Sequence, residues 1–420
     1  MLTTGCNNIN AANIKKVADQ FEKLNLKKYG YEYINIDDCW CTSRSNVTGE
    51  LVPDPKAFPD GMKAVADYVH SKGYKFGMYT DRGPRTCAGR PASGGHETTD
   101  AKTFAGWGVD YLKEDSCNAP GDHPTAFKEY GYMRDALNAT GREIYFSLCG
   151  WNSWYAPVGT TLGNSWRIAG DCNAWPSVWN AISINSKLAK DAGPGGWNDP
   201  DMLVGSSTGA AVHNTPDQAR TQFSLWSVMA APLLIGSDIL ALSPFDLETY
   251  TNAEVIAVDQ DTLGAQGTIV QSSCASDRLD LATYLARNPQ PRAYRSGEPF
   301  AGGVPACQQV WSKPMADAST RAMAFVNYDA SGSKTVSCDA ACLKAAGFAQ
   351  ASGSLTVRDL WAHKTVATVA LGANNKGFSL DVGANGASRT LLVSYAAAAG
   401  SDDKQNAPPP AAVEYFGHSW

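Results

Sequence analysis

From Ile14 to about Leu263 the chain alternates short apolar runs with amphipathic stretches, and that alternation limits the folds open to it. Tyr33–Ile36, Lys75–Tyr79, Val109–Leu112 and Ile144–Leu148 are apolar runs of strand length, the pattern of buried parallel strands. Between them Ile14–Leu26, Met62–Ser71 and Asp100–Trp107 read as amphipathic helices, with Gly73, Gly106 and Gly108 as stops. Strand–helix repetition over this length predicts a parallel (β/α) barrel rather than an open sheet. In such barrels the chemistry collects where the strands end, at the C-terminal face. Polar residues cluster at those ends here: Asp37-Asp38, Tyr79-Thr80-Asp81, Lys113 with Asp115, and Cys149.

After Gly267 the texture changes to short alternating runs separated by Gly, Ser and Asn turns, as in Ala322–Asn327, Leu355–Leu360 and Arg389–Ser394. These predict an appended antiparallel β-sandwich. Beyond Tyr395 the Ala and Pro runs carry no periodicity and read as a disordered tail. The expected division is a barrel over 1–266, a sandwich over 267–396 and a tail over 397–420.

Composition removes several classes of function. The net charge is −6 with no basic cluster, which argues against nucleic acid as a partner. No run approaches the roughly 18 apolar residues of a membrane span. The 11 cysteines show no CxxC pair and no zinc spacing, so disulfides are expected rather than a metal, and the odd count leaves at least one thiol unpaired. Asn46-Val47-Thr48 and Asn138-Ala139-Thr140 are glycosylation sequons. Together these suggest a secretory-route protein, although the opening residues do not read as a signal peptide. Either the start is missing or export follows another route.

Four polar constellations bear chemistry. In the run Tyr111-Leu-Lys-Glu-Asp115, strand alternation points Lys113 and Asp115 one way and Glu114 the other. A lysine beside a carboxylate keeps it ionised, as a nucleophile requires. Asp37-Asp38 would be costly to bury without hydroxyls or cations to bond them, and a sugar supplies hydroxyls; a helix cap would account for one of the two. Arg167 and Asp171 provide a second carboxylate site, and Gly195–Met202 a third cluster with Trp197 and Asp201, each of which would also suit a turn. Two carboxylates flanking an aromatic and polar pocket suit glycoside hydrolysis. No Walker A loop, GxSxG elbow or dinucleotide fingerprint is present.

Tyr33–Trp40, Ala66–Gly73, Asp100–Ala105, Trp107–Lys113, Gly195–Met202, Phe223–Trp226, Ala231–Gly236 and Glu254–Ala257 resemble family 27 of the glycoside hydrolases, the α-galactosidase (melibiase) family. The resemblance runs from about Gly5 to Gly267 and more loosely into the sandwich at Asp359–His363. It implies a (β/α)8 barrel followed by an antiparallel β-sandwich, and hydrolysis of terminal α-linked D-galactose with retention. The implied nucleophile is Asp115 and the implied acid/base Asp171. Asp37, Asp38, Tyr79, Lys113, Cys149, Gly150, Ser153, Arg167 and Asp201 would contact the sugar. No cofactor is implied, since two carboxylates and water suffice. The partner expected is a carbohydrate, and the expected location is secreted, lysosomal or vacuolar. The implied disulfides are Cys6–Cys39, Cys87–Cys117 and Cys149–Cys172; Cys274–Cys307 and Cys338–Cys342 are further expected pairs that the resemblance does not supply, and Cys41 is left over.

Three departures from the family stand out. Its first strand, with a sugar-stacking Trp, has no counterpart before Cys6, so the barrel is expected to lack that strand. Glu114 stands where the family has an aromatic. Gly150 and Ser153 are small where galactosidases carry larger residues, which resembles the α-N-acetylgalactosaminidase branch. That activity, β-L-arabinopyranoside hydrolysis, and a truncated inactive sugar-binding protein are the alternatives to galactose hydrolysis.

Overall fold

The computed structural model describes residues 6–207, 214–289, 303–349, 352–372 and 376–397. Six parallel strands form the first sheet: β1 (Tyr33–Asn35), β2 (Lys75–Asp81), β3 (Tyr111–Asp115), β4 (Tyr145–Cys149), β5 (Ser165–Arg167) and β6 (Trp197–Asp199), paired in chain order. Parallel neighbours need crossovers, and four helices supply them or flank them: α1 (Ala11–Lys23), α2 (Gly61–Ser71), α3 (Glu97–Trp107) and α4 (His123–Asn138). The sequence explains their ends. The Asn10 side chain accepts from Asn13 N–H to start α1, and Asp122 accepts from Thr125 N–H to start α4. Helix α3 stops at Gly108, whose φ of +83° is left-handed. Ile14, Ala18 and Phe21 form the buried stripe of α1.

Beyond β6, Leu203 bridges Ile235 in parallel. Leu203 N–H donates to Leu234 O at 2.7 Å and Gly236 N–H donates to Leu203 O at 3.0 Å. Between this segment and β1 lies a cleft of about 480 Å³, walled by Ile9, Ile14, Phe21, Ile34, Leu233 and Ile235 among others. Among the described residues no strand stands there, in line with a barrel short of its first strand. At the floor, a Cβ on Gly77 would lie 1.8 Å from Asn35 Oδ1, so β2 needs glycine for Asn35 to turn inward.

The strands run past their apolar cores. Strand β2 reaches Asp81 and β3 reaches Asp115, two and three residues beyond the hydrophobic runs. Register aligns Tyr79, Lys113 and Ser147 in one layer and Asp81, Asp115 and Cys149 in the layer above. Hydrophobicity cannot reveal these ends, because the inward residues there are polar.

Among the described residues the second region has eight strands: β7 (Thr268–Ser272), β8 (Gln308–Pro314), β9 (Thr320–Asn327), β10 (Lys334–Cys338), β11 (Gly353–Asp359), β12 (Lys364–Leu371), β13 (Phe378–Val382) and β14 (Ala387–Ala396). Six form an antiparallel sheet in the order β12-β11-β14-β9-β8-β7, and β10 pairs with β13 in a second layer. In β9, Met323 and Phe325 face the second layer while Ala322, Ala324 and Val326 join the barrel-side core. The large sheet is thus buried on both faces, and small residues let it approach the barrel helices. Arg358 forks onto Glu254 at 2.6 and 2.8 Å, and Trp361 Nε1 donates to Ser224 Oγ at 3.1 Å across the junction. The tail expected over 397–420 lies outside the described residues except for residue 397.

Four disulfides form: Cys6–Cys39, Cys87–Cys117, Cys274–Cys307 and Cys338–Cys342. The expected Cys149–Cys172 bridge does not; both are buried free thiols, as is Cys41. The two sulfurs face different partners. The Arg167 guanidinium lies 3.7 Å from Cys149 Sγ, while the Cys172 thiol donates to Pro200 O at 3.3 Å. Thiol titration of the denatured, unreduced protein is therefore expected to count 3 free thiols among the 11 cysteines; a count of 1 would restore the Cys149–Cys172 bridge.

Candidate active site

The C-terminal ends of β1 to β6 bring the predicted carboxylates together around two cations, the half-buried Lys113 and the buried Arg167. Lys113 Nζ donates to Asp37 Oδ2 at 2.8 Å and lies 3.9 Å from Asp115 Oδ2. The lysine thus pairs first with Asp37 and only second with Asp115, where the sequence suggested its main partner. Burial works against the Asp37 charge, but Lys113 and the Asp38 N–H outweigh it and hold the carboxyl below its ordinary range.

Asp115 is sheltered, with its side chain 6% exposed. Ser116 N–H donates to its Oδ1 at 3.0 Å and the Tyr79 hydroxyl donates to its Oδ2 at 3.1 Å. Burial nonetheless dominates and raises its pKa to about 7; Lys113 opposes, and the charges of Asp81, Asp37 and Asp171 add to the rise. Proximity to a lysine therefore offsets only part of the burial cost.

The second cation is Arg167, 4% exposed. Its Nη2 donates to Asp171 Oδ1 at 2.9 Å, and its Nη1 lies 2.9 Å from Asp201 Oδ1. Asp171 is far more open, its side chain 42% exposed. Asp201 is buried and takes the Cys172 N–H at 2.6 Å; its backbone has φ of +89°, a left-handed conformation that costs a non-glycine residue about 1 kcal/mol or more. Burial raises its pKa against the opposing charge of Arg167.

Asp37, Lys113, Arg167 and Asp201 line the cleft described above, together with Tyr111, Ser147 and Asp199. Those last three were not singled out from the sequence. Asp199 sits two residues before Asp201 in the same acidic turn, the one signal that could have found it. Asp38 plays a more local part than expected: its oxygens accept Cys39 N–H at 2.6 Å and Ala88 N–H at 2.7 Å, tying two loops together. Cys149 ends β4 beside Arg167, and Ser153 is buried in the loop that follows. Gly150 leaves no void, because a Cβ there would come within 2.1 Å of the Tyr155 ring.

Glu114 points away from the pocket, as alternation requires. It is fully buried, and neither carboxylate oxygen has a hydrogen-bond partner among the described residues. Burial pushes its pKa well above the ordinary carboxylate range, and the charges of Asp81 and Glu97 add to the rise. Carboxylate and sulfur atoms of Asp81, Cys87, Asp115 and Cys117 also cluster within 4.8 Å, but the Cys87–Cys117 bond removes both sulfurs as metal ligands. Among the described residues no helix is long and apolar enough to cross a membrane.

The raised pKa of Asp115 predicts a stability effect with a definite sign. A carboxyl whose folded pKa exceeds its unfolded value of 3.8 stabilises the fold most below that value, and the contribution is lost as pH rises through about 7. Asp115→Asn should match the parent near pH 4 and exceed it above pH 7, by up to about 4 kcal/mol. Denaturant melts at both pH values check this; a variant no more stable at pH 8 than the parent contradicts it.

The family profile described as Alpha galactosidase A matches residues 4–261, and that of the Alpha galactosidase C-terminal beta sandwich domain matches 306–388. The chain is 41% identical over 365 residues to Alpha-galactosidase 3 of Arabidopsis thaliana, covering 86% of this chain and 73% of that one. It is 47% identical over 274 residues to the Alpha-galactosidase of Cyamopsis tetragonoloba, covering 64% of each. Among solved structures, the α-galactosidase of Saccharomyces cerevisiae superposes with a TM-score of 0.78 at 27% identity, covering 94% of this chain and 96% of that one. That of α-galactosidase I from Mortierella vinacea gives 0.77 at 29%, covering 93% and 94%. Two domains matched in order and a shared architecture lead to one conclusion: the chain belongs to the α-galactosidase family 27 of the glycoside hydrolases.

Proposed function

We propose that this protein hydrolyses terminal α-linked D-galactose from oligosaccharides or glycoconjugates by double displacement, with Asp115 as nucleophile and Asp171 as acid/base. The contrast in exposure carries the assignment. A nucleophile belongs at the inner wall of the site, where only the sugar and one activated water reach it, and Asp115 is 6% exposed; an acid/base belongs where the leaving group departs and water enters, and Asp171 is 42% exposed. In the first step Asp115 attacks C1 while protonated Asp171 gives its proton to the departing oxygen. In the second, Asp171 takes a proton from water, which displaces Asp115.

Lys113 and Tyr79 favour the ionised form of Asp115, and Arg167 fixes Asp171 through a single arm. Asp37, Lys113, Arg167 and Asp201 are the groups assigned to the galactose hydroxyls, with Asp38 holding the loop that carries Asp37. Glycine at 150 with Tyr155 against it supports galactose over a 2-acetamido sugar, since the missing side chain is replaced by a ring rather than by space. The Saccharomyces cerevisiae α-galactosidase, 26% identical, has been solved with raffinose, which supports the same substrate class. We assign the chemistry to residues 1–266 and a buttressing role to 267–396. The disulfides suit an oxidising compartment, and both sequon asparagines, Asn46 and Asn138, are exposed, in keeping with a secreted or vacuolar glycoprotein.

Paired aryl α-galactoside and α-N-acetylgalactosaminide substrates test this reading. Cleavage of the first alone is expected, and cleavage of the second alone overturns the galactose assignment. Azide separates the two carboxylate roles. With Asp115→Ala it should yield the β-galactosyl azide, by direct inversion. With Asp171→Ala it should yield the α-azide, by attack on the glycosyl-enzyme. The reverse products would exchange the roles.

A further inference from the structure

Arg82 follows β2 directly and is 4% exposed, yet it is not among the residues lining the cleft. Every polar contact it makes surrounds the turn that leaves Asp115. Its backbone N–H donates to the Asp115 carbonyl at 3.0 Å. Its Nε donates to Ser116 Oγ at 2.9 Å, and its Nη2 donates to the Pro120 carbonyl. Nη1 is paired with Glu129 on α4, which anchors the clamp to a helix. The guanidinium carbon lies 5.6 Å from the Tyr130 ring centroid, and the Tyr130 hydroxyl is 2.8 Å from Ser116 Oγ. From the other side, Asp81 takes Cys117 N–H at 2.7 Å and Gly83 N–H at 2.8 Å.

Ser116 is the link to the chemistry, because its N–H is the donor on Asp115 Oδ1. We propose that Arg82 is a positioning residue for the reaction: by gripping Ser116 and Pro120 it fixes the N–H that sets the rotation of the Asp115 carboxylate. A planar fork with several donors suits this task, since it holds separate acceptors in one rigid geometry, which a lysine cannot do. The proposal rests on the reading of Asp115 as nucleophile. Misplacing a reacting group by about 1 Å costs on the order of a hundredfold in rate, so even a small slackening of the turn should be visible.

The test measures kcat, KM, the acidic limb of the kcat profile and thermal stability for Arg82→Gln, Arg82→Lys and Ser116→Ala on an aryl α-galactoside. Arg82→Gln is expected to lose about tenfold to a hundredfold in kcat with KM changed by less than about twofold. Its acidic limb should move to higher pH, because the Ser116 N–H bond favours the ionised carboxylate. Arg82→Lys, with the charge but not the fork, should recover only a minor part. The double variant with Ser116→Ala should lose less than the two single losses combined. Unchanged kcat and pH profile with lowered stability alone would overturn the proposal. If Arg82→Gln does not fold, Glu129→Gln releases one arm of the clamp, and kcat either falls or the proposal fails. An unaltered protein inactive on the galactoside would instead remove the functional reading beneath it.

Discussion

Four carboxylates share two cations at the centre of this protein, the half-buried Lys113 and the buried Arg167. Lys113 serves Asp37 and Asp115, and Arg167 serves Asp171 and Asp201. Taking charges out of water is expensive, and the members of each pair are not equally served. Lys113 is 2.8 Å from Asp37 but 3.9 Å from Asp115, while Arg167 is 2.9 Å from both Asp171 and Asp201, of which only Asp201 is buried. The uneven sharing creates different environments. Asp37 is held ionised, Asp115 is pushed towards neutrality, and Asp171 keeps its access to solvent. The division of roles between the two catalytic candidates follows from that imbalance rather than from their identity as aspartates.

The surrounding fold exists to hold that imbalance steady. Parallel strands in fixed register set Tyr79, Lys113 and Ser147 in one layer and Asp81, Asp115 and Cys149 in the next. Outside the sheet, Asp81 and Arg82 grip the backbone that leaves Asp115. The second region adds a sheet buried on both faces, whose Arg358 and Trp361 reach back to Glu254 on one barrel helix and Ser224 on another. Glu114 is the exception to this economy. It is buried one residue from Asp115, with its pKa pushed up by burial and no hydrogen-bond partner among the described residues, and nothing in the structure explains why a carboxyl stands there.

The places where expectation and structure part share a physical cause. The apolar runs stop two or three residues short of the strand ends at Asp81 and Asp115, because an inward polar layer breaks the apolar pattern there. The pairing of Cys149 with Cys172 followed from resemblance, yet Arg167 and Pro200 take those sulfurs as partners. Small residues at Gly150 and Ser153 suggested room for a larger sugar, but Tyr155, only two residues past Ser153, turns its ring back against Gly150. For the cysteines the deciding partners lie 18 and 28 residues away, and for Gly150 the deciding ring comes from the loop that follows it.

Periodicity in this sequence determined the barrel-then-sandwich order, because burial on one or two faces leaves its imprint on every strand and helix. It also determined which residue types gather at the strand ends, since side-chain alternation is a local rule that placed Lys113 and Asp115 together and turned Glu114 away. Only the tertiary structure decided how the charges pair: that Lys113 favours Asp37, that Arg167 joins Asp171 to Asp201, and that Arg82 closes around Ser116. Apart from Arg167 and Asp171, which are four residues apart, those partners come from different strands or the loops that follow them, up to 76 residues apart in the chain. Coulomb energy depends on distance and burial in space, and no local pattern encodes either.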